Sequence, residues 1–244
     1  MTGLLEGRSA IVTGAGRGIG RAIAEALAAQ GARVIVADAG LSTSGDGADP
    51  ACAREVAVAI GSNAIAFTES IASPGAARQL VDLALRSFDR IDIVVNNAAI
   101  QRHAPVFEAE PADWDAMIRN NLSAPFYLTT AATAIMRRRG TAGRIVNIVS
   151  EAGLSGATGQ AAYASAKAGL IGLTRATAMD LADTDITANA IVPFDPEHVA
   201  SLVAALCTAA AQDITGQVLG IRGREVFRFD TPSETLAAEL TRMI

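Results

Sequence analysis

The amino-acid sequence predicts a single doubly wound α/β domain over residues 1–244, with helices on both faces of a parallel sheet. Short apolar runs of strand type alternate with longer helical patterns, and neither an internal repeat nor an interdomain linker interrupts them. Because parallel strands need crossover connections, this alternation predicts a sheet covered on both faces. Hydrophobic residues make up 50% of the chain and aromatic residues 4%, which suits small side chains packing helices closely on a sheet.

Runs of apolar and β-branched residues predict the strands. In chain order they are Ala10–Thr13, Arg33–Ala37, Ala64–Thr68, Ile91–Val95, Ile145–Val149 and Ile186–Val192, and Gly216–Phe229 supplies a final strand. The predicted helices are Ile19–Gln30, Cys52–Ile60, Pro74–Phe88, Trp114–Arg139 and Tyr163–Ala182, with one more beginning near Pro196. The Arg triplet that closes the fourth helix suits the negative end of the helix dipole.

Charge and cysteine content exclude several function classes. The formal net charge is −5, and Arg137–Arg139 is the only basic cluster, so nucleic acid and anionic membranes are not expected partners. No apolar run approaches the roughly 18 residues that a membrane span needs. The residues before the first strand lack a charged-then-apolar pattern, so we do not expect a leader there. Cys52 and Cys207 are too few for a disulfide framework or a metal site, so we expect a cytoplasmic protein without a metal.

A glycine-rich turn, "TGAGRGIG" at Thr13–Gly20, follows the first strand and opens the first helix. Without Cβ atoms, Gly14, Gly18 and Gly20 let the backbone turn tightly and let a pyrophosphate approach the N-terminus of the helix. Arg17 and Ile19 lie in the same turn. Strand, turn and helix agree, so we predict that this segment binds a dinucleotide.

Asp38 ends the second strand, where a carboxylate can accept hydrogen bonds from the adenosine ribose and repel a 2′-phosphate. It therefore predicts NAD, with NADP less favoured. Arg17 argues the other way, because a cation in the glycine-rich turn can reach a 2′-phosphate; Asp38 sits closer to the ribose and carries more weight. The segment Gly40–Pro50, "GLSTSGDGADP", is interpreted as a solvated surface loop.

Tyr163 and Lys167, in "YASAK", lie four residues apart and therefore on one face of a helix. A free tyrosine has a pKa near 10, so it is a poor acid or base at neutral pH unless a nearby positive charge stabilises the phenolate. Lys167 supplies that charge. Ser150 follows the fifth strand and Asn121 lies in the helix before it, which completes a set of polar residues suited to proton transfer.

At this point the sequence resembles the short-chain dehydrogenase/reductase family, whose sheet is a Rossmann fold. The resemblance rests on "TGAGRGIG", "NNAA" (Asn96–Ala99), Asn121, Ser150 and "YASAK", in the order and approximate spacing of the family. It implies hydride transfer between a nicotinamide cofactor and a ketone or secondary alcohol. The alternative is a dinucleotide-binding sensor or a non-catalytic subunit of a hetero-oligomer.

Carried over residue by residue, the resemblance implies four catalytic roles. Tyr163 exchanges a proton with the substrate oxygen as general acid and base, and Ser150 holds that oxygen. Lys167 lowers the pKa of Tyr163 and binds the nicotinamide ribose, while Asn121 holds a water that relays protons from Lys167.

The resemblance also implies that Asn97 and Ile71 flank the adenosine half of the cofactor. It predicts a homotetramer or homodimer built through the helices Trp114–Arg139 and Tyr163–Ala182.

The stretch "NAIVPFDPEH" at Asn189–His198 departs from the family. Pro193 matches the family's Pro-Gly, where the backbone passes the nicotinamide, but Phe194 replaces the glycine. The family then has a mobile loop and short helices that cover the substrate. Here a helix follows almost directly, so we predict that this lid is missing or shortened and that the pocket is more open. Either a neighbouring subunit supplies the cover, or the sequence omits a segment.

Overall fold

The computed structural model describes residues 3–194, 196–223 and 225–229 and builds them around one eight-stranded sheet. The strand order is β3-β2-β1-β4-β5-β6-β7-β8, and all neighbours are parallel except β7 and β8. The predicted doubly wound α/β fold is confirmed, with one antiparallel edge strand added. The strands are β1 Ser9–Thr13, β2 Arg33–Ala37, β3 Ala64–Phe67, β4 Ile93–Asn96, β5 Arg144–Ile148, β6 Thr187–Val192, β7 Val218–Arg222 and β8 Glu225–Arg228.

Eight α-helices connect or flank these strands in the described residues, and sequence signals explain several of their ends. The hydroxyl oxygen of Ser73 accepts a hydrogen bond from Ala76 N, and Pro74 opens the helix behind this cap. Gly140 takes the left-handed conformation directly after the Arg triplet. The helices are α1 Gly18–Ala29, α2 Ala51–Ile60, α3 Pro74–Phe88, α4 Pro111–Ile118, α5 Ala124–Arg139, α6 Ala152–Ser155, α7 Ala161–Asp180 and α8 Pro196–Leu206.

Two large hydrophobic layers cover the two faces of the sheet. Alternate residues of β1 belong to opposite layers, so Val12 packs with α1, α2 and α8, whereas Ile11 packs with α3 and α5. Strands buried on both faces explain why their sequences read as continuous apolar runs. None of the helices in the described part of the chain combines the length and the apolar character that a membrane span requires.

The long helix predicted over Trp114–Arg139 is not one α-helix. α4 ends at Ile118, a π-helical turn occupies Arg119–Ser123, and α5 begins at Ala124. Pro125 explains the wider turn, because it has no N–H and therefore cannot donate the α-helical hydrogen bond to the carbonyl of Asn121. Asn121 consequently lies in the π turn and not in a regular helix.

The connection from β6 to α8 is as short as the sequence suggests, since β6 ends at Val192 and α8 begins at Pro196. Phe194 turns back toward the edge of the sheet. Its ring packs 5.5 Å from that of Phe227, and the guanidinium carbon of Arg222 lies 4.9 Å from its centroid. The missing or shortened lid stays a prediction. The single final strand predicted over Gly216–Phe229 is instead the antiparallel pair β7 and β8.

Candidate active site

A pocket of about 320 Å³ lies at the carboxyl ends of the strands. It sits where the chain order reverses, because β1 pairs with β2 on one side and with β4 on the other. Ligands of open α/β sheets bind at such a switch point. The pocket is lined by the glycine-rich turn, the end of β2, and the loops after β2, β3 and β4.

The glycine-rich turn is held in place by unusually close packing. A Cβ atom on Gly20 would lie 2.1 Å from the carbonyl oxygen of Gly14, so only glycine fits there. The Asn97 side chain braces the turn, donating from Nδ2 to the carbonyls of Thr13 (2.9 Å) and Gly14 (3.1 Å). The turn is therefore preformed. A phosphate placed against it would meet the free N–H groups at the start of α1.

Asp38 lines the same pocket, and backbone amides fix both of its oxygens. Oδ2 accepts from Gly16 N at 2.8 Å and Oδ1 accepts from Gly40 N at 2.7 Å. Each oxygen keeps one further acceptor site, which suits the two hydroxyls of a ribose. Arg17 also lines the pocket, but its guanidinium pairs with Asp49 at 3.0 Å.

The loop Gly40–Pro50, interpreted from sequence as a solvated surface loop, forms one wall of the pocket through Leu41, Ser42 and Thr43. Its free edge is tied to the loop after β4. Gln101 N donates to the carbonyl of Thr43 at 2.7 Å, and Arg102 Nε donates to that of Ser44 at 2.8 Å. Sequence reasoning missed these lining residues because their hydrogen-bond partners are remote in sequence. The clustered glycines of the loop were the only available sign that it folds back tightly.

The other predicted cofactor residues fall in three settings. Ile71 and Asn97 line the pocket, as do Gly14 and Gly18. The side chain of Ile19 instead packs against the hydrophobic layer of α1, and Gly20 supports the turn from behind. Pro193 lies just beyond β6 and outside the lining of this pocket.

Tyr163, Lys167 and Ser150 meet beyond the end of β5. Lys167 Nζ lies 5.7 Å from the centroid of the Tyr163 ring and donates to the carbonyl of Ile148 at 2.7 Å. Ser150 is close enough for its hydroxyl to hydrogen-bond with the phenol, and its Oγ accepts from Ala152 N at 3.2 Å. Sequence reasoning missed Gly153, whose absent Cβ would lie 2.8 Å from the Lys167 carbonyl carbon. This contact brings α6 onto α7.

Burial shifts the pKa of both titratable groups. Lys167 is only 2% exposed, and desolvation lowers its pKa from 10.5 to about 8. Desolvation raises the pKa of Tyr163, and its hydrogen bond with Ser150 partly opposes this rise. In the protein without ligands, the phenol is therefore protonated at neutral pH, and a modest rise in pH discharges the lysine. Lys167 is also the only lysine of the chain.

Asn121 is fully buried and braces the π turn against the loop after β4. Its Oδ1 accepts from Ile100 N at 2.8 Å, and its Nδ2 donates to the Ile100 carbonyl at 2.7 Å. The side chain thus has a structural task, and the main-chain carbonyl cannot receive an α-helical hydrogen bond from Pro125. The π turn packs against α7, the helix that carries Lys167.

Comparison with known proteins identifies the family of the chain. The family model described as short chain dehydrogenase matches residues 8–197. A 3-oxoacyl-[acyl-carrier-protein] reductase from Synechocystis sp. is 38% identical over 90% of this chain and 97% of its own length. The hydroxyacyl-CoA dehydrogenase ChsB1 from Mycobacterium tuberculosis is 36% identical, over 93% and 81% respectively.

The crystal structure of a short chain dehydrogenase from Mycobacterium avium superposes with a TM-score of 0.88 at 36% identity. The match covers 95% of this chain and 87% of that one. The family model, the relatives and the sheet order agree with the resemblance found in the motifs. The chain therefore belongs to the short-chain dehydrogenase family of oxidoreductases.

Proposed function

We propose that the protein is an NAD(H)-dependent oxidoreductase that interconverts a ketone and a secondary alcohol, with Tyr163 as general acid and base. One observation carries the proposal: a partly desolvated phenol lies beside the Ser150 hydroxyl and within 5.7 Å of the buried Lys167 ammonium. A sensor that only binds a dinucleotide has no need for this cluster. The bound nicotinamide supplies or accepts the hydride.

The substrate oxygen is placed between Ser150 and Tyr163. Ser150 Oγ accepts from Ala152 N, and its proton, which otherwise serves the phenol oxygen, is the one that a bound substrate oxygen would accept. The raised pKa of Tyr163 keeps the phenol protonated, which is the form needed to give a proton to a carbonyl oxygen as it gains charge. In alcohol oxidation, the phenolate takes the proton back.

Lys167 and Asn121 support proton transfer by Tyr163. Lys167 Nζ uses one N–H on the Ile148 carbonyl, which leaves two for the nicotinamide ribose and for a water. The ammonium stabilises the Tyr163 phenolate once the proton has left. The main-chain carbonyl of Asn121, to which Pro125 cannot donate, is the group proposed to hold the water that returns protons to Lys167.

NAD(H) is the proposed cofactor because Asp38 presents a carboxylate where the adenosine ribose would lie. A 2′-phosphate would meet this charge, and the one cation of the glycine-rich turn, Arg17, is paired with Asp49. The tight turn at Gly14 and Gly20 and the open N-terminus of α1 suit the pyrophosphate.

The proposed substrate is an acyl thioester that carries an oxo or hydroxyl group on its chain. The support comes from relatives named for 3-oxoacyl-carrier-protein reduction and for hydroxyacyl-CoA dehydrogenation, which share this chemistry. The direct passage from β6 to α8 favours such a long substrate, because a missing or shortened lid leaves room at the mouth of the site.

The test measures NADH consumption with ketones, aldehydes, quinones and 3-oxoacyl thioesters, and NAD reduction with the matching alcohols. We expect the fastest turnover with a 3-oxoacyl thioester. Tyr163→Phe should lower turnover by about 10²- to 10⁴-fold, because it removes the proton donor, and should leave NADH binding within a few-fold. Clear cofactor binding without turnover of any substrate would instead support the sensor.

A further inference from the structure

Asp49 stands at the end of the loop Gly40–Pro50, and its orientation is fixed on two sides. Its amide donates to the Gly40 carbonyl at 3.0 Å, and its Oδ1 accepts from Ala51 N at 3.2 Å at the start of α2. The second carboxylate oxygen, Oδ2, is thereby presented to Arg17, whose Nη2 lies 3.0 Å away. The loop thus holds a carboxylate where it can capture this guanidinium.

Arg17 lines the pocket, but its guanidinium has its partner outside the pocket. It lines the pocket together with Asp38, so its side chain starts beside the expected site of the adenosine ribose. Its guanidinium nevertheless pairs with Asp49, a residue outside the pocket lining. Arginine is the residue best suited to bind a phosphate, so the position of this guanidinium bears on whether a 2′-phosphate finds a partner.

We propose that Asp49 is a positioning residue for coenzyme choice: it holds Arg17 away from the 2′ position of the adenosine ribose and so favours NAD(H) over NADP(H). The inference rests on the proposed function in that a nicotinamide dinucleotide occupies the pocket. Asp38 repels a 2′-phosphate from within the pocket, while Asp49 acts from outside it by withholding the compensating cation. Two carboxylates therefore discriminate by different routes.

The ion pair acts through geometry and contributes little to stability. The side chains of Arg17 and Asp49 are 54% and 57% exposed, and exposed pairs of this kind add little to folding. Replacing either residue should therefore leave the fold intact. In Asp49→Asn, the remaining carbonyl oxygen can still accept from Ala51 N, so the loop keeps its anchor while the charge that captures Arg17 is removed.

The experiment measures dissociation constants of NADH and NADPH by cofactor fluorescence, for the wild-type chain and for Asp49→Asn. We expect NADPH affinity to rise about three- to five-fold, because the freed guanidinium can reach the 2′-phosphate and an exposed ion pair restrains it only weakly. NADH affinity should stay within about 1.5-fold. Asp46→Asn is the matched control. It removes the same charge from the same loop, but Asp46 lies 3.9 Å from Arg102, so the NADPH to NADH ratio should hardly change.

Arg17→Ala separates capture of the cation from a simple loss of negative charge. In that background, Asp49→Asn should no longer change the ratio. A change that persists without Arg17, an unchanged ratio with Arg17 present, or equal weakening of both cofactors would each overturn the inference. Asp49→Ser, which keeps a hydroxyl acceptor for Ala51 N, gives the same readout if the asparagine variant fails to fold. Because binding needs no turnover, a wild-type chain that binds neither cofactor would refute the proposed function as well, whereas cofactor binding with an unshifted ratio would refute this inference alone.

Discussion

Lys167 links the chemistry of the site to the stability of the fold. Lowering its pKa from 10.5 to about 8 means that the folded protein resists the charged form, at a cost of about 3 kcal/mol near neutral pH. Lys167→Met removes this cost but leaves the Ile148 carbonyl without its donor, which costs about 1–3 kcal/mol. We therefore expect an inactive variant whose stability at neutral pH equals or exceeds that of the wild type by up to about 2 kcal/mol.

The pH dependence of the free energy of unfolding gives the sharper test, because the cost of the lost hydrogen bond at the Ile148 carbonyl is the same at every pH. Between pH 8 and 10.5 the unfolded chain binds more protons at Lys167 than the folded chain does, so wild-type stability rises with pH. The advantage of Lys167→Met should therefore shrink by about 2 kcal/mol between about pH 6.5 and 9.5. Urea unfolding of both proteins measures this difference. An advantage that is constant or grows with pH would refute the reasoning.

A direct reading of the lysine pKa is possible because the chain contains a single lysine. Protein labelled with ¹³C-lysine should give one side-chain NMR signal, which titrates near pH 8 in the folded protein without cofactor. In denaturant, the same signal should titrate near the ordinary value of 10.5. A folded-state midpoint at the ordinary value would mean that the ammonium is hydrated and that burial does not tune it.

Two further predictions concern the proton donor and the glycine-rich turn. Because burial raises the pKa of Tyr163, the rate of ketone reduction should stay level through neutral pH and fall only in the alkaline range. The rate of alcohol oxidation should rise with pH. Opposite pH–rate profiles would contradict the role of Tyr163 as proton donor. Gly20→Ala should weaken NADH binding at least about ten-fold by forcing a Cβ against Gly14, at a cost of about 1–3 kcal/mol in stability. Gly172→Ala, in open space on α7, is the control, and fluorescence titration of both variants decides the point.

Local patterns predicted the strands β1 to β7 and most of the helices. Fully buried strands such as β1 and β6 read as apolar runs, and the glycine-rich turn follows β1 as expected. The single helix predicted over Trp114–Arg139 was wrong, because Pro125 and the pairing of Asn121 with Ile100 produce a π turn that helical periodicity does not reveal. The subunit contacts through α5 and α7 stay predictions.

Contacts between remote segments lay beyond the reach of sequence reasoning. The loop Gly40–Pro50 looked solvated because its composition is polar, yet Gln101 and Arg102 bind its backbone and make it a pocket wall. The pairing of Arg17 with Asp49 also depends on how that loop returns to α2. A motif places a residue at the pocket, but the partner that orients its side chain is set by tertiary structure.

Transfer of deuterium from labelled NADH to the substrate carbon tests the central claim most directly. The wild-type chain, NADH deuterated at the transferring position of C4 and a 3-oxoacyl thioester are incubated together, and the hydroxyacyl product is examined by mass spectrometry. We predict a product that carries deuterium on the carbinol carbon, formed by the wild type and almost absent with Tyr163→Phe. An unlabelled product, or equal labelling by both proteins, would contradict the proposed hydride transfer with Tyr163 as its proton donor.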